Sequence, residues 1–416
     1  MMTTLLDQVI NQFITTAKIM GVDENYIRIM SKPARTMIVN MPVRMDNGSV
    51  RMFKGFKVIH QSSMGPARGG LRMDPTLDIP CVQALAMINS WASALTGVPM
   101  GGSHGGIIAD RKLLSDAERE RLIRRYIASI INVIGPEQDI FSPDLGTGPR
   151  SMSWIFDTYS MGVGKTTPGV CTGKPIEIGG IVGNDKAIGW GIADILREVT
   201  RRDPEKDLKD QPVIVQGIGH VGKNVARTID QFGAKIIAIS DSKTGVYDPN
   251  GLDINKVINF KEKNGSLVGY QRADAISNEE MLTLPCYALV PCARESQISR
   301  ANVDKLQCEL VIEGANGPIT YEADQVLEER GDITIIPDII ANSGGAIISY
   351  FEWVQDISQL RWTMSYVSKE LERIILNAFD EVCRVKEKNL VSYRRAALMV
   401  AISRVLKAKK LRGLYP

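Results

Sequence analysis

Histidine is the scarcest residue in this 416-residue sequence, at three, and none of the three stands with cysteines or carboxylates at ligand spacing. That argues against a structural metal site. The six cysteines (Cys81, Cys171, Cys286, Cys292, Cys308 and Cys383) are scattered without metal-type spacing. They read as buried thiols in a reducing cytosol, so a cytoplasmic protein is expected. No apolar run reaches the length of a membrane span. The opening MMTTLLDQVINQF has no basic segment followed by an apolar stretch and a small-residue cleavage site, and reads as an amphipathic helix rather than a signal peptide. The net charge of +3 is small for the length and gives no reason to expect nucleic acid or an acidic membrane surface as partner.

What is present is an ordinary soluble composition on a chain long enough for two domains. The first stretch mixes strands and helices. Ile38–Val43 and Phe56–His60 read as strands around the turn Asp46-Asn47-Gly48. A helix follows Ser115, which has capping-box spacing to Glu118, and Leu122, Ile123, Tyr126, Ile127, Ile130 and Ile131 fall on one face. Two glycine-rich segments, Gly65-Pro-Ala-Arg-Gly-Gly70 and Gly101-Gly-Ser-His-Gly-Gly106, read as loops, each presenting one ionisable side chain, Arg68 and His104. Two such loops suggest a binding cleft, because paired glycines let backbone approach a ligand.

The middle of the chain is the most legible. Val213–Val215 is a short apolar strand, Gly217-Ile-Gly219-His220-Val221-Gly222 follows directly, and a helix runs to Phe232. A second strand, Lys235–Ile239, ends at Asp241. Strand, glycine loop, helix, strand and terminal acid in this order form a dinucleotide fingerprint. Gly217 would make the tight turn, Gly219 would let backbone reach the pyrophosphate, and Gly222 would let helix pack on strand. Asp241 is the candidate for the ribose hydroxyls, favouring NAD, while Lys243 could accept a 2′-phosphate, keeping NADP open. Further strands at Ala288–Val290, Leu310–Ile312 and Ile333–Ile336 indicate a doubly wound parallel sheet. A long helix then carries Val367, Leu371, Ile374, Ile375, Ala378, Phe379 and Val382.

The segments GPARGGLRMDP, VPMGGSHGGI, FSPDLGTG, DTYSMGVGKTTPGVCTGKPIEIGG, VQGIGHVG, EGANGP, PDIIANSGG and SYFEWVQD, with the ending LRGLYP, occur in an order that resembles the bacterial and archaeal glutamate dehydrogenases. The resemblance covers roughly residues 5 to 416. It implies an α/β protein with a substrate and oligomerisation domain at 1–180, a Rossmann-type NAD(P) domain at 181–350, a cleft between them, and C-terminal helices at 351–416 packing toward the first domain. It further implies NAD or NADP as cofactor and a homo-hexamer, or a hetero-oligomer with a paralogue. The reaction implied is amino-acid oxidation to the 2-oxo acid with loss of ammonia.

Several positions depart from the family pattern. The lysine that grips the side-chain carboxylate is Arg68, the lysine for the α-carboxylate is Ala92, after Trp91, and the catalytic lysine is His104. The threonine near the nicotinamide is Ile188, the asparagine within the fingerprint is His220, and another asparagine is Ser296. Asp144 matches the catalytic aspartate, Ser349 the serine near the substrate side chain, and Asn342 is retained among the cofactor residues. With Ala92 offering no charge, Arg72 is the nearest cation that could compensate. His104 and Asp144 are the catalytic candidates, and Arg68, Ala92 and Ser349 line the substrate site. Three readings stand: a dehydrogenase or reductase for an amine, amino acid or oxo compound other than glutamate, a glutamate dehydrogenase with an unusual site, or a nucleotide- or effector-binding subunit of an active paralogue.

Overall fold

The computed structural model describes residues 4–414, so Met1–Thr3 and the closing Tyr415 and Pro416 lie outside the described residues. The chain forms two compact units. One comprises residues up to Asn184 with Ala346–Val367 and the residues from Leu398 on, and the other comprises Asp185–Gly345 with Ser368–Ala397. Of the described residues after 350, 351–367 and 398–414 fall in the first unit and 368–397 in the second. Among the described residues no helix is long and apolar enough to cross a membrane.

The first unit contains α1 (Leu5–Ile19), α2 (Glu24–Met30), β1 (Arg35–Arg44), β2 (Val50–Gln61), β3 (Ala67–Met73), α3 (Ile79–Thr96), β4 (Gly102–Ile107), α4 (Asp116–Ile130), β5 (Asp139–Pro143) and α5 (Pro149–Val163). Its sheet has the order β1-β2-β4-β3-β5. β1, β2 and β4 pair antiparallel, and β3 runs parallel to both β4 and β5. Ser115 caps α4 in a complete capping box with Glu118, so two terminal N–H groups are satisfied reciprocally. Leu122, Ile123, Tyr126, Ile127 and Ile130 of α4 bury against Met41, Phe53, Leu71 and Phe141. Each large apolar side chain so buried contributes about 1.5–3 kcal/mol.

The two glycine-rich segments are strands, not loops: they supply most of β3 and β4. Glycine disfavours a strand, but here close approach requires it. A Cβ on Gly102 would lie 2.2 Å from the Ser90 backbone nitrogen of α3, and one on Gly106 2.3 Å from Leu77. On the opposite face a Cβ on Gly105 would meet Phe141 at 2.8 Å. These glycines let α3 and the core close on β4 from both sides.

The second unit contains α6 (Ala187–Arg201), β6 (Pro212–Gln216), α7 (His220–Gln231), β7 (Lys235–Ser240), β8 (Gly245–Tyr247), α8 (Ile254–Asn264), β9 (Asp274–Ile276), α9 (Asn278–Leu282), β10 (Cys286–Pro291), β11 (Cys308–Ile312), α10 (Tyr321–Arg330), β12 (Thr334–Ile336) and α11 (Asp338–Ala341). Helices α12 (Gly344–Ser358), α13 (Met364–Asn389) and α14 (Tyr393–Arg412) complete the chain. The sheet order is β12-β11-β10-β6-β7-β8-β9. The first five strands in that order are parallel, as the β/α alternation predicts. The three-residue strands β8 and β9 extend it antiparallel, an addition the sequence pattern does not reveal.

Candidate functional site

In a strand, residues two apart share a face. Arg68, Gly70 and Arg72 of β3 therefore point one way while Leu71 points into the core. The β3–β4 register, Leu71 with Gly105, sets His104 level with Gly70. The β3–β5 register, Leu71 with Pro143, sets Asp144 just beyond the sheet at the level of Arg72. Gly70 is the space that admits both: a Cβ there would lie 2.7 Å from the Asp144 Cβ and 2.9 Å from the His104 ring.

The side chains form one hydrogen-bonded chain. Arg72 Nε donates to Asp144 Oδ2 at 2.8 Å, and His104 Nε2 lies 3.1 Å from the same oxygen. On its other side His104 Nδ1 lies 3.3 Å from the Asn89 amide nitrogen, which also donates to the Ser103 carbonyl at 3.0 Å. Burial works against ionisation of Asp144, yet His104 and Arg72 hold its carboxyl well below the usual carboxylate range. Burial pushes the His104 imidazole below its ordinary value, against the pull of Asp144 and with repulsion from Arg72 and Lys57. A neutral ring beside an ionised carboxylate carries its proton on Nε2. Nδ1 then accepts from Asn89, whose NH2 is oriented by the Ser103 carbonyl. Both ring nitrogens are engaged within the protein.

Arg68 is not a solvent-facing arginine. Its Nη2 donates to Ser349 Oγ at 2.9 Å, bringing together two of the expected substrate residues. Burial lowers its guanidinium to about 10, partly offset by Asp144, which leaves it a cation at neutral pH. Ala92 is buried on α3, and its neighbour Trp91 stacks on Phe13 with ring centroids 5.2 Å apart. Arg72, expected as the compensating cation, is instead the clamp on Asp144.

Three contributors carry little signal in the sequence. Asn89 is one, and its only signal is a lone amide in the run Ala86–Leu95, which is otherwise apolar apart from two serines. The others are Lys57 and Asp139, fully buried and 3.0 Å apart. Ser103 Oγ donates to Asp139, so this pair anchors β4 next to His104.

In the second unit the fingerprint glycines have different surroundings. Gly217 has φ +94°, a conformation that favours glycine. A Cβ on Gly222 would lie 1.7 Å from the Gly217 carbonyl oxygen, so α7 packs directly on the turn. Gly219 faces open space. The N-terminus of α7 has no side-chain cap, so the N–H groups of its first turn, including His220, Val221 and Gly222, have no side-chain acceptor. This arrangement fits a pyrophosphate approaching over Gly219. Asp241 is less available than its position suggests. It accepts from Lys261 Nζ at 2.7 Å, the Leu267 N–H at 2.8 Å, Ser266 Oγ at 3.2 Å, and the Lys243 and Thr244 N–H groups at 2.7 and 3.0 Å. Ile188 lies against Gly345, and Asn342 Nδ2 donates to Asn316 Oδ1 at 2.6 Å. Among the described residues no group of three His, Cys, Asp or Glu side chains is placed to hold a metal ion.

Residues 179–413 match the family described as Glutamate/Leucine/Phenylalanine/Valine dehydrogenase, and residues 33–161 match the Glu/Leu/Phe/Val dehydrogenase dimerisation domain. The sequence is 43% identical over 417 residues to a glutamate dehydrogenase of Thermotoga maritima, covering 99% of each chain. It is 41% identical to NAD-specific glutamate dehydrogenase A of Halobacterium salinarum, covering 97% of this chain and 92% of that one. Among solved structures, the hetero-hexameric glutamate dehydrogenase of Thermus thermophilus in its Leu-bound form superposes with a TM-score of 0.95 at 38% identity. That match covers 100% of this chain and 99% of the other.

Proposed function

Because this chain belongs to the glutamate/leucine/phenylalanine/valine dehydrogenase family, we propose that it is an NAD(P)-dependent oxidoreductase acting on a CH–NH2 or imine centre with an altered substrate site, and that it oxidises glutamate slowly. NAD or NADP, when bound, supplies the hydride acceptor or donor. Gly217, Gly219 and the N-terminus of α7 would hold its pyrophosphate. Arg68, oriented by Ser349, would hold one carboxylate of an amino or 2-oxo acid, since its planar fork suits that anion. Ala92 offers the second carboxylate of glutamate nothing. A buried carboxylate left without its cation costs about 3–5 kcal/mol, or more than two orders of magnitude in rate.

The observation that carries this reading is the bonding of His104. A general base needs a free lone pair facing substrate. Here Nε2–H is given to Asp144 and Nδ1 accepts from Asn89. Acid–base work by His104 would require the Asn89 amide to yield. With Ala92 offering no cation to a second carboxylate, the expected substrate is an amine, amino acid or oxo compound other than glutamate.

A second reading is favoured by the same bonding. The chain would be a nucleotide- or effector-binding subunit that assembles with an active paralogue. The Thermus relative is a hetero-hexamer with leucine bound. Under either reading the chain joins a closed oligomer, a homo-hexamer or a hetero-hexamer. The edge strand β1 and its neighbour β2 expose Ile38, Val50 and Met52, an apolar edge that needs covering.

Steady-state glutamate oxidation and reductive amination, with NAD(H) and NADP(H), test the proposal. The native chain should turn over glutamate far more slowly than the Thermotoga enzyme assayed in parallel. The double variant Ala92→Lys with His104→Lys should gain more than either single change, because binding and acid–base chemistry fail separately. Robust native glutamate activity would overturn it.

A further inference from the structure

We propose that Cys286 and Cys308 form a reversible dithiol–disulfide couple, oxidised by hydrogen peroxide, inside the parallel sheet of the second unit. Cys286 is the first residue of β10 and Cys308 the first of β11, and the two are direct register partners. Register partners on neighbouring strands point to the same face, with Cα atoms about 4.8 Å apart. That lies inside the range of about 4.4–6.8 Å that a disulfide spans. Both thiols belong to one apolar cluster. Among the described residues none of the other four cysteines has a cysteine across a strand pair.

Position in the strands supplies the freedom that bond formation needs. Cβ atoms of parallel neighbours sit somewhat farther apart than the roughly 3.8 Å of a disulfide, so one strand must move in slightly. Both residues are where the ladder begins: the Cys286 N–H donates to the Gln307 carbonyl as its first bond, and Leu284-Pro285 and Leu306 precede it. A mid-sheet pair would have regular strand on both sides. The residual closing strain makes the bond reducible, which is the property of a reversible rather than a structural disulfide.

The two thiols interact electrostatically, and the Arg330 guanidinium favours the thiolate of Cys308, so Cys308 reacts first. Cys308 sulfur attacks a peroxide oxygen, the O–O bond breaks, and the released hydroxide takes the Cys308 proton as water. Cys308 is then a sulfenic acid. Cys286 sulfur attacks it, the S–S bond forms, the S–O bond breaks, and the second hydroxide leaves as water with the Cys286 proton. Two thiols and one peroxide give one disulfide and two waters. With 9% and 7% of their surfaces exposed, the two residues admit a small oxidant in preference to a bulky disulfide reagent.

The test is a non-reducing peptide map of the purified full-length chain after graded hydrogen peroxide, with free thiols alkylated on unfolding. The expected result is one linked species joining the Cys286 and Cys308 peptides, lighter by two hydrogens and abolished by dithiothreitol. In Cys286→Ser the link should vanish and Cys308 should be trapped by dimedone as the sulfenic acid. If that variant fails to fold, the native map still decides. Recovering Cys286 and Cys308 both alkylated after the partly exposed Cys81 has been oxidised would overturn the proposal. So would finding each carrying oxygen with no link between them.

Discussion

The ammonium of Lys261 lies 2.7 Å from the Asp241 carboxylate at the end of β7. With four further donors on the same carboxylate, the acid expected to grip a ribose is already bonded to the turn that follows it, to the last turn of α8 and to the residues just beyond that helix. Ser242 and Lys243, beside it, are exposed. Both dinucleotides should therefore bind. Lys243→Ala should weaken NADPH by about threefold to tenfold, the size of an exposed charge contact, and leave NADH nearly unchanged. Fluorescence titrations of the two cofactors on native and variant chains check this. Equal losses for both, or for neither, would show that Lys243 does not face the 2′ position.

Gly219 and Gly222 should separate binding from folding. Gly219→Val enters open space, so the melting temperature should hold while NADH and NADPH binding disappear. Gly222→Ala drives a methyl to within 1.7 Å of the Gly217 carbonyl and should lower stability as well. Thermal melts paired with calorimetric titration distinguish the two. Retained NADH affinity in Gly219→Val would remove the pyrophosphate from this loop.

Lys174 is buried with Glu352 at 2.8 Å and Asp356 at 2.7 Å, and Glu352 also accepts from the Gly173 and Lys174 N–H groups. Lys174→Met strands two buried carboxylates and should cost about 3–5 kcal/mol in urea unfolding. Burial raises Asp356 to about 6 even with Lys174 present. A carboxyl whose folded pKa exceeds its unfolded value favours folding below the unfolded pKa, and loses that contribution as pH rises through the folded pKa. The deficit of Lys174→Met should accordingly shrink as pH is lowered from 7 toward 4. A deficit independent of pH would exclude the carboxylates as its cause.

His60 is buried, with Nδ1 2.7 Å from Ser90 Oγ and Nε2 2.9 Å from the Met30 carbonyl. Burial lowers it from 6.5 to about 4, against the pull of the Met30 carbonyl. Its neutral form is the one that folds, so stability is full above the unfolded pKa and falls as pH drops from 6.5 toward 4. The loss should reach on the order of 3 kcal/mol. His60→Gln should be less stable at pH 7 but show a flatter acid limb. Unfolding curves between pH 7 and 4 measure it, and an unchanged acid limb would point to other groups.

The sequence was most legible where local signals repeat one another. The Ser115–Glu118 capping box and the strand–glycine–helix run at 213–222 each carry their own evidence in neighbouring residues. The glycine strands β3 and β4 look like loops in sequence because glycine carries no alternation, and what makes them strands is helix α3 and Phe141 closing in from distant sequence. Arg68 with Ser349, and His104 with Asp144, stand out in the sequence as site residues, but their bonding is not visible there. Arg72 on Asp144 and Asn89 on His104 are contacts 72 and 15 residues apart that only the folded register creates. The same holds for Lys261 on Asp241, where an acid at the expected place turns out to be committed elsewhere. β8 and β9 are too short for any periodicity to register.

The crowding around β4 also sets the routes by which this protein can diverge. Positions 102, 105 and 106 accept no side chain without displacing the Ser90 backbone, the Phe141 ring or the buried Leu77 side chain respectively. Only position 104 projects into the Arg72–Asp144 network, and it does so between fixed walls. A saturation library across β4 should therefore survive almost entirely through changes at 104. Narrow unbranched or flat side chains should dominate there, and β-branched ones should be lost. Lineages carrying this strand can exchange one reactive group for another in a single codon while the rest of the strand stays still.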